Sequence, residues 1–206
     1  MDNSGYLYSL WIYQGPEHGE ETKPHQIVVN FAKELPTKNY IVYADSYYGS
    51  FTLAEDLNSK GYKFVLSCKS DRPSQLFSKK LHTGLKRGSW KYGVWNKKIL
   101  ALSFWDSVKC NFISNYFNAD LEGTKPSLVV KYNKYKGGVD LADSHWSRYL
   151  ASFRNYKWTK AAVFALLKIA LVNSYLIFNH NQEKKISQRL FIEKIILGYL
   201  EYRSKL

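Results

Sequence analysis

Apolar residues along this chain fall either in short unbroken runs or in spaced sets, and the two patterns predict different elements. Tyr40-Ile-Val-Tyr-Ala44 is an unbroken run of β-favouring side chains that ends on Asp45 and the turn-like Ser46-Tyr-Tyr-Gly49. Such a run predicts a central strand covered on both faces, with its carboxylate at the strand end where open α/β sheets place their chemistry. Residues 51–61 read as a helix, with Ser50 as N-cap and Gly61 as its stop. Residues 62–66 form a second apolar strand. In a β–Asp–α–β unit of this kind, Asp45 also has a purely structural reading, as a turn or capping residue.

Upstream, Tyr6-Leu-Tyr-Ser-Leu-Trp-Ile-Tyr13 predicts a strand, preceded by Asp2-Asn-Ser-Gly5 as a hairpin turn. Residues 14–21 are a polar loop. Pro24 opens a helix through Ile27, Val28, Phe31, Ala32 and Leu35, which Pro36 ends. Downstream, residues 67–88 are polar and turn-rich. Residues 89–94, 98–104 and 111–116 read as antiparallel strands, reversed at Asn96-Lys97 and over 105–109. Together they predict a β-rich insertion, and residues 120–126 a linker. Gly137-Gly138 breaks the backbone before a helix starting near Val139 or Asp140. Residues 161–178 are apolar enough to suggest a membrane span, but Lys168 lies mid-segment, at a cost of about 2.5–3.5 kcal/mol. The expectation is therefore a buried helix over the sheet and no membrane. Residues 191–200, apolar at 191, 192, 195, 196, 199 and 200, predict a further amphipathic helix.

A chain of 206 residues forms one sizeable core, or one domain with a large insertion. With 45% hydrophobic and 17% aromatic residues it is a folding sequence. Cys68 and Cys110 lack metal-ligand spacing and disulfide density, which suits a reducing compartment, and the five scattered histidines argue against zinc. No secretory signal pattern opens the chain.

The net charge of +13 is unevenly spread. Residues 1–59 carry 3 Lys against 8 acids, whereas residues 60–110 carry 12 Lys and Arg against Asp71 and Asp106 alone. That basic segment also holds Trp90, Tyr92, Trp95 and Trp105, so cations for phosphates are interleaved with rings for bases. Lys69, Arg72, Lys79, Lys80, Lys86 and Arg87 are its candidate DNA contacts, joined by Lys134, Lys136 and Arg154 further on. A lysine-rich solvated face over an aromatic core is the plainer alternative. Asp140 and Asp143, three residues apart, lie about 60° apart on one helical face. Acids in a first helical turn also suit the helix dipole.

Tyr132-Asn-Lys-Tyr-Lys-Gly-Gly-Val-Asp-Leu-Ala-Asp143 resembles the YNxxxGGVDxxD signature of piggyBac-type transposases. Asp45-Ser-Tyr-Tyr-Gly-Ser-Phe-Thr-Leu-Ala, Asp2-Asn-Ser-Gly-Tyr-Leu-Tyr, Arg154-Asn-Tyr-Lys-Trp158 and Ile169-Ala-Leu-Val-Asn-Ser-Tyr175 follow in collinear order over residues 2–180. Lys136 stands where Met is frequent, and Ser144-His145 where Asp-Gln is usual. The resemblance implies an α/β, RNase H-like mixed sheet flanked by helices, with a β-rich insertion between the second and third catalytic aspartates. The core would be residues 1–66 and 127–182, the insertion 67–126, and a C-terminal helix 183–206.

By residue match, Asp2, Asp45 and Asp140 form the catalytic triad for two Mg2+ or Mn2+ ions, with Asp143 accessory. The implied reaction is DNA cleavage and strand transfer at transposon ends and a target, TTAA in the resembling proteins. The implied setting is the nucleus, with a homodimer in a full-length relative. The family's strand before Asp2, its N-terminal regions and its cysteine-rich zinc module have no counterpart here, which implies a truncated copy, a fragment or a host-adopted remnant. A host-adopted, non-catalytic DNA-binding or interaction protein that kept the fold is the alternative.

Replacing Lys79, Lys80, Lys86 and Arg87 together by neutral residues is expected to weaken DNA binding. Titration over a salt series should show the log K against log salt slope falling by about 0.9 for each phosphate no longer neutralised. An unchanged slope would assign these charges to solvation alone.

Overall fold

The computed structural model describes residues 2–12, 23–69, 81, 84–149 and 157–205, which divide into two compact units: residues 11–136, and residues 1–10 with 137–206. Candidate contacts Arg72, Lys79, Lys80 and Arg154, and the loop over 14–21, lie outside the described residues.

The larger unit begins with α1 (Pro24–Lys33), where proline's missing N–H costs no helical bond and Val28, Val29 and Ala32 are buried. β1 (Ile41–Ala44) leads through Asp45 into α2 (Phe51–Ser59). The Ser50 hydroxyl caps that helix by accepting the Leu53 N–H at 3.2 Å. The chain leaves α2 through Gly61 at φ +76°, a conformation a side chain would oppose. β2 (Lys63–Cys68) then lies parallel to β1.

β3 (Trp90–Trp95) and β4 (Ile99–Trp105) form a hairpin over Asn96 and Lys97. Both turn residues have positive φ, 47° and 54°, the backbone twist that matches two paired strands. β5 (Lys109–Ser114) pairs antiparallel with both β4 and β2, so the sheet order is β1-β2-β5-β4-β3. The three predicted strands thus continue the sheet of β1 and β2. β4 is buried along nearly its whole length.

Residues 120–126, expected as a linker, hold the short hairpin β6 (Leu121–Glu122) and β7 (Lys125–Pro126). No sequence period announces the helix after it, α3 (Ser127–Tyr135). Its buried apolar positions are only Leu128, Val129 and Tyr132, too short a set to predict a helix. One sheet face packs Phe64, Leu66 and Ile113 with Val29 of α1 and Leu53 and Leu57 of α2. On the other, Val65, Leu102 and Phe112 meet Leu128, Val129 and Tyr132 of α3.

The smaller unit contains the Asp2 turn and three helices: α4 (Gly138–Arg148), α5 (Trp158–His180) and α6 (Gln188–Arg203). The predicted Asp2–Gly5 turn is present, closed by Asp2 N–H to Tyr6 O at 3.1 Å and Gly5 N–H to Asp2 O at 3.2 Å. The strand expected over 6–13 is not found in its described part, residues 6–12, which enter no sheet. β-favouring side chains do not make a strand without a backbone ladder to join.

α5 corrects a second expectation. It is long and apolar enough to cross a membrane by length and composition. The sequence predicts a buried helix, yet among its residues only Val172 and Asn179 are buried. Its apolar positions go all round the helix. Tyr175 and Phe178 pack their rings on Phe191 of α6 at 5.7 and 5.3 Å.

A Cβ at Gly49 would overlap the Ser67 carbonyl oxygen of β2, whereas a Cβ at Gly93 meets nothing within 4 Å. Gly49→Ala is therefore expected to destabilise the fold by about 1–3 kcal/mol, read as a lower urea midpoint, while Gly93→Ala stays near the parent. Equal midpoints for the two variants would contradict this packing.

Candidate active site and nucleic-acid face

Asp45 stands exposed at the C-terminal end of β1. Its Oδ1 accepts the Tyr47 and Tyr48 N–H groups at 3.0 and 3.4 Å, and its carbonyl accepts the Gly49 N–H at 2.8 Å. The side chain thereby closes its own turn and is held facing one way, with a single oxygen spent on that task. Burial pushes the Tyr48 phenol up, and the Asp45 charge adds to the shift. Tyr132 of the YN motif is buried against Phe112, ring centroids 5.1 Å apart. Burial raises its phenol, a hydrogen bond with Ser67 opposes the shift, and Asp45 adds to it. The signature tyrosine is therefore a neighbour of Asp45, held at the end of β2.

Strand directions explain what else gathers here. β1 and β2 are parallel, so Asp45 and Lys69 leave the sheet at the same end. β5, antiparallel to β2, begins there with Lys109, opposite Trp105 at the end of β4. β3 begins there too, and the turn before it holds Lys86 and Arg87, fixed by Gly88 N–H to Trp105 O at 2.7 Å. Lys136 lies with its Nζ 5.8 Å from the Tyr132 ring centroid, and Lys134 5.1 Å from that of Tyr135. Tyr135 in turn packs on Tyr43 of β1. Lys69, Lys86, Arg87, Lys134 and Lys136 are all exposed and all belong to this end of the larger unit.

Two cations here were missed in the sequence. Lys109 sits over the Trp105 ring at 4.7 Å, and Lys125 pairs with Asp106 at 2.6 Å. The second pair is about half exposed and adds little stability, at most about 1 kcal/mol. Residues 105–109 read only as a reversal, although Trp105 and Lys109 four residues apart across a turn was an available signal. Lys125 also acts on Cys110, whose thiol burial and Asp106 raise while Lys136 and Lys125 hold it back.

Asp2 and Asp140 belong to the smaller unit. Asp2 Oδ1 accepts the Ser4 N–H at 2.9 Å, the Ser4 hydroxyl at 2.6 Å and the Tyr6 N–H at 3.0 Å, the same device as at Asp45. A Cβ at Gly138 would overlap the Asp2 carbonyl, and one at Gly5 would stand 3.1 Å from Ala142 N. The Asp2 turn is thus pressed onto the first turn of α4, the turn that carries Asp140. Asp140 is about 200° round the helix from Gly138, but Cα atoms on opposite sides of a helix are only about 5 Å apart. Asp140 and Asp143 are both exposed.

Asp45 belongs to one unit and Asp2, Asp140 and Asp143 to the other. Among the described residues no three His, Cys, Asp or Glu side chains form one ligand cluster. The donors nevertheless suit a hard divalent cation, because each is an aspartate and Asp2 and Asp45 are preset by bonds through one oxygen.

The sequence model of a family described as Transposase IS4 matches residues 1–175. The human PiggyBac transposable element-derived protein 3 is 22% identical over a 222-residue alignment, covering 96% of this chain and 37% of that protein. The chain therefore spans little more than a third of that relative's length. A cryo-EM structure of the piggyBac transposase synaptic complex with hairpin DNA matches at a TM-score of 0.82 and 22% identity, over 93% of this chain and 42% of that one. At this identity the likeness is one of fold: a mixed sheet flanked by helices.

Gly138→Ala is expected to lift the Asp2 turn from α4, so that amides over residues 2–8 exchange with deuterium faster. Gly137→Ala, where a Cβ meets nothing within 4 Å, should leave them unchanged. Equal protection in both variants would show that the turn does not rest on Gly138.

Proposed function

The chain belongs to the Transposase IS4 family and is piggyBac-like, and from that membership we propose that it supplies the catalytic carboxylates of a DNA transposase. In this reading Asp2, Asp45 and Asp140 hold Mg2+ or Mn2+. When bound, a pair of such ions supplies Lewis acidity to the attacking and leaving oxygens of a phosphodiester exchange. The chain's own residues orient and hold. The Oδ1 bonds of Asp2 and Asp45 fix the carboxylates, and the basic rim grips backbone phosphates on either side of the cut. Water attacks phosphorus at a transposon end and the bond to the 3′ oxygen breaks, freeing a 3′-hydroxyl. That hydroxyl then attacks a phosphodiester of the second strand, expelling the 3′ oxygen of the flanking DNA and closing a hairpin. Water reopens the hairpin and restores the 3′-hydroxyl, which attacks a target such as TTAA and expels a 3′ oxygen there.

The observation that carries this reading is the gathering of Lys69, Lys86, Arg87, Lys109, Lys134 and Lys136 at the Asp45 end of the sheet. A cutting group and the cations that hold its substrate then share one face. Residues 1–66 and 127–182 form the RNase H-like core. Residues 67–126 are its insertion, whose strands widen the sheet, and residues 183–206 are the terminal helix. The place of work is the nucleus, in a homodimer where the flanking regions of the longer relatives are present.

Asp45→Asn and Asp140→Asn are expected to abolish Mg2+-dependent nicking of transposon-end DNA. Asp143→Asn should retain activity, lowered about 10–100-fold, as for a group that orients a ligand rather than being one. Calorimetric titration with manganese checks the assignment independently. Binding lost in Asp143→Asn but kept in Asp140→Asn would exchange their roles. A parent chain that binds DNA yet neither takes up manganese nor nicks would favour the non-catalytic reading.

A further inference from the structure

Residues 6–12 enter no sheet among the described residues. At Leu7, which is buried, both main-chain groups are nevertheless paired. The Leu7 N–H donates to Asn173 Oδ1 at 3.0 Å, and Asn173 Nδ2 donates to the Leu7 carbonyl at 2.9 Å. One amide side chain from the middle of α5 therefore makes the two bonds that a neighbouring strand would make. The segment so held is the one that carries Asp2. Three fixed points then locate that carboxylate: Asp2 O against Gly138, Gly5 against Ala142, and Leu7 on Asn173.

We propose that Asn173 is a positioning residue for Asp2, acting as a one-residue substitute strand that holds the Asp2 turn at the Asp140 end of α4. The inference rests on the reading of Asp2 as a metal ligand. Gly138 and Gly5 stop the turn from moving into α4, but steric contact alone does not stop it from moving away. The paired bonds at Leu7 supply that restraint, five residues from Asp2 and across a tight turn that transmits it. An apolar residue at position 173 leaves a buried N–H and a buried carbonyl unpaired, and the segment is then free to leave.

The same helix contains the control. Asn179 makes an identical clamp on Ile186, accepting its N–H at 3.0 Å and donating to its carbonyl at 2.9 Å. Asn173→Leu and Asn179→Leu thus remove equal numbers of hydrogen bonds from α5, and only the first touches the Asp2 segment. In calorimetric titration of the whole chain with MnCl2, Asn173→Leu is expected to weaken binding about 10–100-fold, with faster amide exchange at Leu7. Asn179→Leu should bind manganese as the parent does.

Asn173→Asp keeps the acceptor for the Leu7 N–H and loses only the donor, so its affinity should fall between parent and Asn173→Leu. It also serves where the leucine variant does not fold. Equal affinity in parent, Asn173→Leu and Asn173→Asp would overturn the positioning role while leaving Asp2 a ligand. Equal weakening at positions 173 and 179 would reduce it to general stability. A parent that takes up no manganese overturns both the ligand reading of Asp2 and the role of Asn173 that rests on it.

Discussion

A carbonyl oxygen pressed against a glycine is the contact on which both carboxylate-bearing turns depend. At Gly49 the oxygen belongs to Ser67, and the approach locks the turn after Asp45 onto β2. At Gly138 it belongs to Asp2 itself, and the approach sets the Asp2 turn on the start of α4. Each aspartate then spends one carboxylate oxygen on backbone N–H groups of its own turn. Turn and side chain are therefore positioned by main-chain packing, which is stiffer than side-chain packing because interiors leave it little room to adjust. The signature Gly-Gly is thus more than a helix breaker. Gly137 has an ordinary backbone conformation with open space at its Cβ position, while Gly138 makes room for another residue's backbone.

Charge follows from topology in the larger unit. One parallel pair and three antiparallel pairings bring the end of β1, the end of β2 and the starts of β3 and β5 to one edge. Lysines scattered between positions 69 and 136 come to that edge, which carries Asp45 at the end of β1. Buried aromatic and aliphatic side chains fill both faces of the sheet behind it, so the rim stands on a rigid base. Such a base suits a phosphate-gripping surface, whose salt-dependent affinity comes from several weak contacts held in register.

Much of the larger unit was legible because its signals are local. The hairpin at Asn96-Lys97, the Ser50 cap, the Gly61 stop and the apolar runs of β1 and β2 each announce themselves within a few residues. α3 was missed because so few apolar positions in so short a stretch give no firm period. Residues 6–12 misled for the opposite reason, since their composition favours a strand while the Leu7 main chain is paired by Asn173, 166 residues away in sequence. Lys109 and Lys125 were not singled out because sequence spacing does not reveal that strand order brings Lys109 to the Asp45 end of the sheet, or that Lys125 pairs with Asp106. The exposure of α5 is another such property: its composition shows how apolar it is, and its neighbours decide how much of it is covered.

The central proposal, which rests on family membership, is that Asp2, Asp45 and Asp140 are all metal ligands. Paramagnetic broadening by substoichiometric Mn2+ in amide-resolved NMR spectra tests it most directly, because broadening falls steeply with distance from the ion. The account predicts that amides over residues 3–6, 45–48 and 138–141 broaden together at the same low Mn2+ ratio, and that Asp140→Asn abolishes all three effects. Broadening confined to one of these segments, or spread over the surface acids without preference, would contradict it.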